Sequence, residues 1–173
     1  MNLYFFIFIL RLLVPLLVFN YPFFVILIIL TLDGFDAEFA AKVVSYPHYQ
    51  LFDKLLDFWW YLILLFFSSF FLKEFFLLLF ALFVYRLIGE IIFVLKRENK
   101  IFLFFPNFFE NVFLLIFMGI SSARLEFIIR GSNFFYFFLL ACLVKLIQEY
   151  LVHVKKFVFM KSALGLKRKW RRG

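Results

Sequence analysis

Long apolar runs, separated by short stretches of charged or turn-forming residues, follow one another along this chain as far as about position 153. Most of the runs approach the length of about 20 residues that a helix needs to cross the hydrocarbon of a bilayer, whereas buried strands are much shorter. The pattern therefore predicts an all-α integral membrane protein, a bundle of about six transmembrane helices that forms a single domain over residues 1–173. The predicted spans are 3–19, 21–41, 55–72, 75–95, 101–119 and 134–153.

The composition of the chain supports a membrane protein and narrows its chemistry. Apolar residues make up 66% of the 173 positions, whereas soluble domains contain about 45–50%. The single cysteine, Cys142, lies in an apolar run, which excludes a disulfide within the chain and a cysteine-rich metal site. The sequence contains no recognisable Gly-rich phosphate loop and no Ser/His/Asp set, so nucleotide hydrolysis of the soluble type and protease chemistry have no support.

The distribution of Lys and Arg predicts the orientation of the bundle, because cytoplasmic loops of membrane proteins are enriched in these residues. With six spans and both termini on one side, thirteen of the nineteen basic residues fall on that side and three on the other. Both termini are therefore expected in the cytoplasm, in a multi-pass protein of the cell membrane. We expect the basic cytoplasmic tail, 155–173, to contact anionic membrane lipids and not nucleic acid.

Four aspartates stand out against the apolar pattern, and they come in two pairs. Asp33 and Asp36 are three positions apart near the end of the second predicted span, and Asp53 and Asp57 are four positions apart at the start of the third. These two spacings place both members of a pair on one helical face. The connection between the pairs, predicted as a loop over 43–52, is short enough to bring them face to face on the cytoplasmic side.

A carboxylate at membrane depth is costly unless it faces water, a cation or a partner. Hard divalent cations such as Mg²⁺ or Mn²⁺ bind carboxylate oxygens together with water and substrate phosphates, and two such ions can clamp a diphosphate. The paired aspartates therefore predict a metal site that suits a phosphate-bearing lipid precursor. The alternative is that they are helix caps and solvated charges near the membrane surface.

Segment 31–57 resembles the signature of the CDP-alcohol phosphatidyltransferases, D-x2-D-G-x2-A-R-x8-G-x3-D-x3-D. The four aspartates of the signature are matched by Asp33, Asp36, Asp53 and Asp57, although the interval between the two pairs is one residue shorter. The resemblance implies that these aspartates bind two ions, Mg²⁺ or Mn²⁺. It also implies that Asp57 is the general base that takes the proton of the attacking hydroxyl.

The first predicted span adds to the resemblance, because Arg11 and Pro15 match an R-x3-P stretch common early in that family. The implied activity is a step of phospholipid biosynthesis. A phosphatidyl or phospho-alcohol group passes from a CDP-linked lipid or alcohol donor to an alcohol acceptor, and CMP is released. The resemblance also implies a homodimer.

The chain departs from the signature where the family binds its nucleotide. Ala37 and Tyr49 replace two glycines, and Ala41, followed by Lys42, replaces an arginine. Two alternatives to the transferase therefore stay open: a divergent or inactive relative that acts on another diphosphate-linked lipid, and a non-enzymatic membrane transport or assembly protein.

The expected substrate-binding residues are Ala37, Ala40, Lys42 and Arg86.

Two further pairs of opposite charge lie inside predicted spans, namely Arg86 with Glu90 and Lys145 with Glu149. Ionisable residues within a membrane are functional candidates, and Arg86 is positioned to meet a substrate phosphate. The four-residue spacing equally predicts an internal salt bridge in each helix. Both interpretations are kept for each pair.

Overall fold

The structure is a computed structural model that describes residues 3–41, 43–98 and 100–153, so that Lys42 and the basic tail, 155–173, lie outside the described residues. The described ranges contain α-helices and short 3-10 helices and no strand. The all-α architecture is thus confirmed for this part of the chain. Its α-helices are α1 (Leu3–Leu13), α2 (Pro22–Ala40), α3 (Tyr46–Phe71), α4 (Phe76–Lys96), α5 (Ile101–Phe104), α6 (Phe108–Ser121) and α7 (Gly131–His153).

Three helical segments of the described chain are long and apolar enough to cross a membrane: Tyr46–Phe71, Lys73–Lys96 and Gly131–Leu151. Two shorter apolar segments, Leu3–Phe19 and Phe108–Ser121, accompany them. Much of the surface is also apolar, with many Leu, Ile and Phe side chains exposed. An exposed apolar surface of this extent is unfavourable in water and matches the hydrocarbon of a bilayer, which supports a membrane protein.

The chain divides into two compact units, one ending at Phe67 and the other beginning at Ser68. The first unit contains α1, α2 and most of α3. Its helices are joined by the edge-to-face pair of Phe8 and Phe52, 5.9 Å apart, and by the indole N–H of Trp59, which donates to the carbonyl oxygen of Leu12 at 2.9 Å. Aromatic contacts and hydrogen bonds thus fix α3 against α1.

Prolines set the ends of the helices in the first unit. The α-helix that begins the predicted span 3–19 ends at Leu13, and the chain continues as a 3-10 helix over Val14–Phe19. Pro15 lies in this segment, where its missing N–H breaks the α-helical hydrogen-bond pattern. Pro22 then opens α2 at the first helical position, where no N–H is needed.

The start of the third helix differs from the prediction. The expected loop over 43–52 is wrong, because α3 begins at Tyr46 and includes Pro47 in its first turn. Proline is tolerated there, since the first turn of a helix has no intrahelical acceptor for its N–H groups. As a result Asp53 lies about two turns inside α3, on a rigid part of the helix and not at its end.

The second unit contains α4 to α7 and differs from the prediction at one point. The prediction of one continuous helix over the span 101–119 is wrong, because α5 ends at Phe104 and α6 begins at Phe108. Pro106 interrupts the hydrogen-bond pattern, and the side chain of Asn107 caps α6 by accepting from the backbone N–H of Glu110.

Side chains of α4 satisfy the carbonyl groups that this break leaves open. The hydroxyl of Tyr85 donates to the carbonyl oxygen of Phe104, and Nη1 of Arg86 donates to that of Phe105 at 2.8 Å. Gly89 allows this close approach, because a Cβ atom there would lie 2.3 Å from the Cβ atom of Phe105. A broken helix in an apolar environment needs such partners for its backbone.

Candidate functional site

Three helices of the first unit direct charged side chains toward one point. Asp33 and Asp36 come from α2, Asp53 and Asp57 come from α3, and we call these four side chains the carboxylate cluster. All four lie within ion-pair distance of a single guanidinium, that of Arg11 on α1. The prediction that the two pairs meet is therefore confirmed. Their roles as metal ligands and as a base stay predictions.

Arg11 lies at the centre of the cluster. Its Nη1 atom donates to Asp36 and, at 3.1 Å, to Asp53, while its Nη2 atom lies 2.9 Å from Asp33 and 2.8 Å from Asp57. The two Nη atoms carry four N–H groups in one plane, so that a single arginine can bind several carboxylates. The side chain is only 4% exposed, which means that its charge is balanced inside the protein.

The central position of Arg11 was not predicted from the sequence, in which the residue was assigned only to the R-x3-P stretch. A signal was present, because Arg11 is the single charged side chain among residues 3–32. A buried arginine in an apolar helix requires an acidic partner. What the sequence does not show is which of the carboxylates is that partner, since this depends on how α1 packs against α2 and α3.

Two more side chains complete the cluster. Nζ of Lys54 lies 2.9 Å from Asp53 and 2.6 Å from Asp57, and the hydroxyl of Tyr49 donates to Asp36 at 2.8 Å. Tyr49, which replaces a signature glycine, therefore orients a carboxylate of the cluster. Four carboxylates together with Arg11 and Lys54 give these six side chains a formal charge of minus two, which one divalent cation would balance.

The four carboxylates differ in their access to the surroundings. The side chain of Asp36 is 4% exposed, those of Asp53 and Asp57 are 14% and 12% exposed, and that of Asp33 is 52% exposed. The cluster is therefore closed at Asp36 and open at Asp33. A ligand that enters without rearrangement of the helices meets Asp33 first.

Three members of the cluster lie close enough together to hold a metal ion. One carboxylate oxygen from each of Asp33, Asp53 and Asp57 lies within 4.8 Å of the others. Oxygen ligands about 2.0–2.6 Å from a central ion are separated by distances up to about 4–5 Å, so the spacing fits Mg²⁺, Mn²⁺ or Ca²⁺. The set contains only carboxylates, which hard cations of this kind prefer. The fourth member, Asp36, is the one most enclosed by protein groups.

The predicted substrate-binding residues fall in different places. Ala37 and Ala40 are buried on α2, and Ala40 is fully enclosed in the packed interior of the first unit. Lys42 lies outside the described residues. The structure brings neither alanine into the ion-pair contacts of Arg11, and their part in substrate binding stays a prediction.

Arg86 belongs to the second unit, where it has several partners. Its Nε atom lies 3.2 Å from Glu90, Nη1 donates to the carbonyl of Phe105, and Cζ lies 4.2 Å from the centre of the Phe102 ring. The internal salt bridge with Glu90 is thus confirmed. These contacts fix the break between α5 and α6, and substrate binding by Arg86 stays a prediction.

Lys145 and Glu149 also form the internal salt bridge that their spacing predicts. The Nζ atom of Lys145 lies 3.4 Å from Glu149, and both side chains are nearly buried on α7.

Comparison of the whole chain with family models, with curated proteins and with solved structures finds no match. The functional conclusion therefore rests on the geometry of the carboxylate cluster.

Proposed function

We propose that this chain is a membrane-embedded, metal-dependent phosphotransferase of the CDP-alcohol phosphatidyltransferase type. It transfers a phosphatidyl or phospho-alcohol group from a CDP-linked donor to an alcohol acceptor and releases CMP. The observation that carries the proposal is the convergence of carboxylate oxygens from Asp33, Asp53 and Asp57 within 4.8 Å. The resemblance of segment 31–57 to the family signature supplies the reaction class.

The ion or ions, Mg²⁺ or Mn²⁺, would be held by Asp33, Asp53 and Asp57, with Asp36 beside them, and would neutralise the charge of a diphosphate. The other roles belong to the protein's own groups. Tyr49 keeps Asp36 in a fixed orientation through its hydroxyl. The helices hold all four carboxylates on rigid backbone, which is how a catalytic site keeps its reacting groups in position.

Asp57 is the proposed acceptor of the proton from the alcohol. Its Oδ1 atom is bound by Arg11 and its Oδ2 atom by Lys54. For Oδ2 to accept a proton, the ammonium of Lys54 has to withdraw, and it can do so while it stays bound to Asp53. Lys54 is 21% exposed, so its flexible side chain has room to move.

The proposal includes a topology with six helical passes and both termini in the cytoplasm. Three passes are the long apolar segments of α3, α4 and α7. The others are Leu3–Phe19, α2 and the broken pair α5 and α6. The excess of basic residues on one side supports this orientation, in which the carboxylate cluster would lie at the cytoplasmic face.

The test is release of CMP by the purified chain in lipid nanodiscs that contain Mn²⁺ and a series of CDP-linked alcohols and lipids. Asp57→Asn should reduce the rate at least about 100-fold, because removal of a general base costs roughly 10²–10⁴ in rate. Glu74→Gln, which alters an exposed acid of the second unit, should keep the wild-type rate. No CMP release from any donor, together with no CDP binding by calorimetry, would contradict the proposal.

A second candidate function is favoured by one specific observation, the contact of Arg11 with all four aspartates. A cluster already balanced in part by arginine can act as a structural joint between α1, α2 and α3 in an inactive relative. In that case the chain should bind no Mn²⁺ at millimolar concentration and should unfold at the same temperature with Mn²⁺ as with EDTA. A rise of the unfolding temperature with Mn²⁺ would reject this candidate.

A further inference from the structure

Seven of the eight oxygens of the carboxylate cluster are already in contact with a donor of the first unit. Arg11 takes one oxygen of each aspartate, Lys54 takes the second oxygens of Asp53 and Asp57, and Tyr49 takes the second oxygen of Asp36. A divalent ion that binds here must therefore displace a donor or share an oxygen with one. The donors of the cluster differ in how directly they conflict with such an ion.

Arg11 conflicts with an ion more directly than Lys54 does. Its guanidinium contacts all three ligand residues, Asp33, Asp53 and Asp57, whereas Lys54 contacts only the last two. Lys54 can withdraw toward the surface, but Arg11 is 4% exposed and comes from another helix. Two cations bound to the same oxygens lie close together and repel one another, most strongly in a buried site.

Arg11 also maintains the arrangement that the ion would use. Its Nη2 atom holds Asp33 of α2 and Asp57 of α3 at 2.9 Å and 2.8 Å, against the repulsion between two carboxylates. Without a cation at this point, the two helices would carry like charges facing each other. The same guanidinium therefore gathers the ligands and occupies the place of the ion.

We propose that Arg11 is a resident cation, which occupies the carboxylate cluster of the metal-free chain and competes directly with a divalent cation for Asp33, Asp53 and Asp57. The inference rests on the proposed function, which supplies the divalent cation. Arg11 keeps the first unit folded when the metal is scarce, and it sets the metal concentration above which the site is loaded. It is thus a positioning residue that determines metal affinity.

The test measures Mn²⁺ binding and thermal unfolding of the full chain in nanodiscs, with Mn²⁺ or with EDTA. Electron paramagnetic resonance of free Mn²⁺ gives the Kd. Arg11→Gln should lower the unfolding temperature in EDTA, because four carboxylates then repel with less compensation. The same variant should bind Mn²⁺ roughly tenfold more tightly than the wild type, since one competing charge is gone. Mn²⁺ should also raise its unfolding temperature by more than that of the wild type.

Arg86→Gln is the matched control, because Arg86 is equally buried and ion-paired but belongs to the second unit. It should lower the unfolding temperature as well, and Mn²⁺ should raise that temperature by no more than it does in the wild type. If Arg11→Gln does not fold even in Mn²⁺, Arg11→Lys decides. A lysine keeps the charge but cannot contact four carboxylates at once, so this variant should bind Mn²⁺ more tightly than the wild type.

The outcomes separate this inference from the proposed function. Tighter Mn²⁺ binding by the Arg11 variants, with metal-dependent recovery of stability, supports competition. Mn²⁺ binding by the wild type that is unchanged or weaker in the folded Arg11 variants overturns the competition and leaves the metal site standing. Absence of Mn²⁺ binding in the wild type and in both Arg11 variants overturns the inference together with the metal-dependent function.

Discussion

The Nη2 atom of Arg11 lies 2.8 Å from the Oδ1 atom of Asp57, and this contact joins the first helix of the chain to the third across 46 positions of sequence. Both side chains are buried in an apolar protein, where either charge would be costly without a partner. The residue proposed to accept a proton from an alcohol is thus held by an arginine. The contact links the stability of the first unit to the chemistry of its carboxylates.

Tyr49 should contribute to stability through its hydrogen bond to Asp36. Tyr49→Phe removes the donor and leaves a buried carboxylate with one partner fewer, so the free energy of unfolding should fall by about 1.5–3 kcal/mol. Tyr46→Phe is the control, because the hydroxyl of Tyr46 accepts an exposed hydrogen bond from Gln50, and its loss should change stability by less than about 0.5 kcal/mol. Unfolding by SDS in mixed micelles measures both. Equal losses of unfolding free energy in the two variants would show that the hydrogen bond to Asp36 stabilises the protein no more than the exposed one does.

Two adjacent tryptophans on α3 give a prediction about the packing that carries the site. The indole N–H of Trp59 donates to the carbonyl of Leu12, whereas the buried N–H of Trp60 has no hydrogen-bond partner among the described residues. Replacement of either tryptophan by β-(3-benzothienyl)alanine removes the indole N–H and keeps the shape of the ring. At position 59 it should lower the free energy of unfolding by about 1 kcal/mol, and at position 60 it should leave it unchanged or raise it.

The same SDS titration distinguishes the two tryptophan positions. A loss of stability at position 60 as large as at position 59 would mean that the Trp60 N–H has a partner in the membrane-embedded protein.

The proposed topology makes a prediction about chemical labelling. In a chain with Cys142→Ser, a cysteine introduced by Ser45→Cys, in the turn between α2 and α3, should react with a membrane-impermeant maleimide only in inside-out vesicles. Ser122→Cys, in the segment after α6, should react only in right-side-out vesicles, because the basic-residue bias places this segment outside. Labelling of both cysteines from the same side would contradict the six-pass topology.

Those parts of the site that depend only on the spacing of residues along one helix were predicted from the sequence. Asp33 with Asp36, and Asp53 with Asp57, share a helical face because of their spacing alone, and the structure confirms that the two pairs meet. The central place of Arg11 was not predictable in this way. Its partners lie 22 to 46 positions along the chain, and only the packing of three helices decides which carboxylates it contacts.

The helix boundaries were mispredicted at prolines. Pro47 indicated a loop, but proline is compatible with the first turn of a helix, and α3 begins one residue before it. Pro106 did not lead to a predicted helix break, because the residues around it are apolar. A proline followed by a capping Asn107 is nevertheless typical of a new helix start. The proline was given too much weight at position 47 and too little at position 106, because its effect depends on where in a helix it lies.

The central claim is that the carboxylate cluster binds a divalent metal, and an experimental structure of the full chain with Mn²⁺ and a CDP-alcohol tests it most directly. We predict an anomalous scattering peak about 2.0–2.6 Å from oxygens of Asp33, Asp53 and Asp57, with the guanidinium of Arg11 displaced from those oxygens. Absence of the peak at saturating Mn²⁺, with Arg11 still in contact with all four aspartates, would contradict the claim.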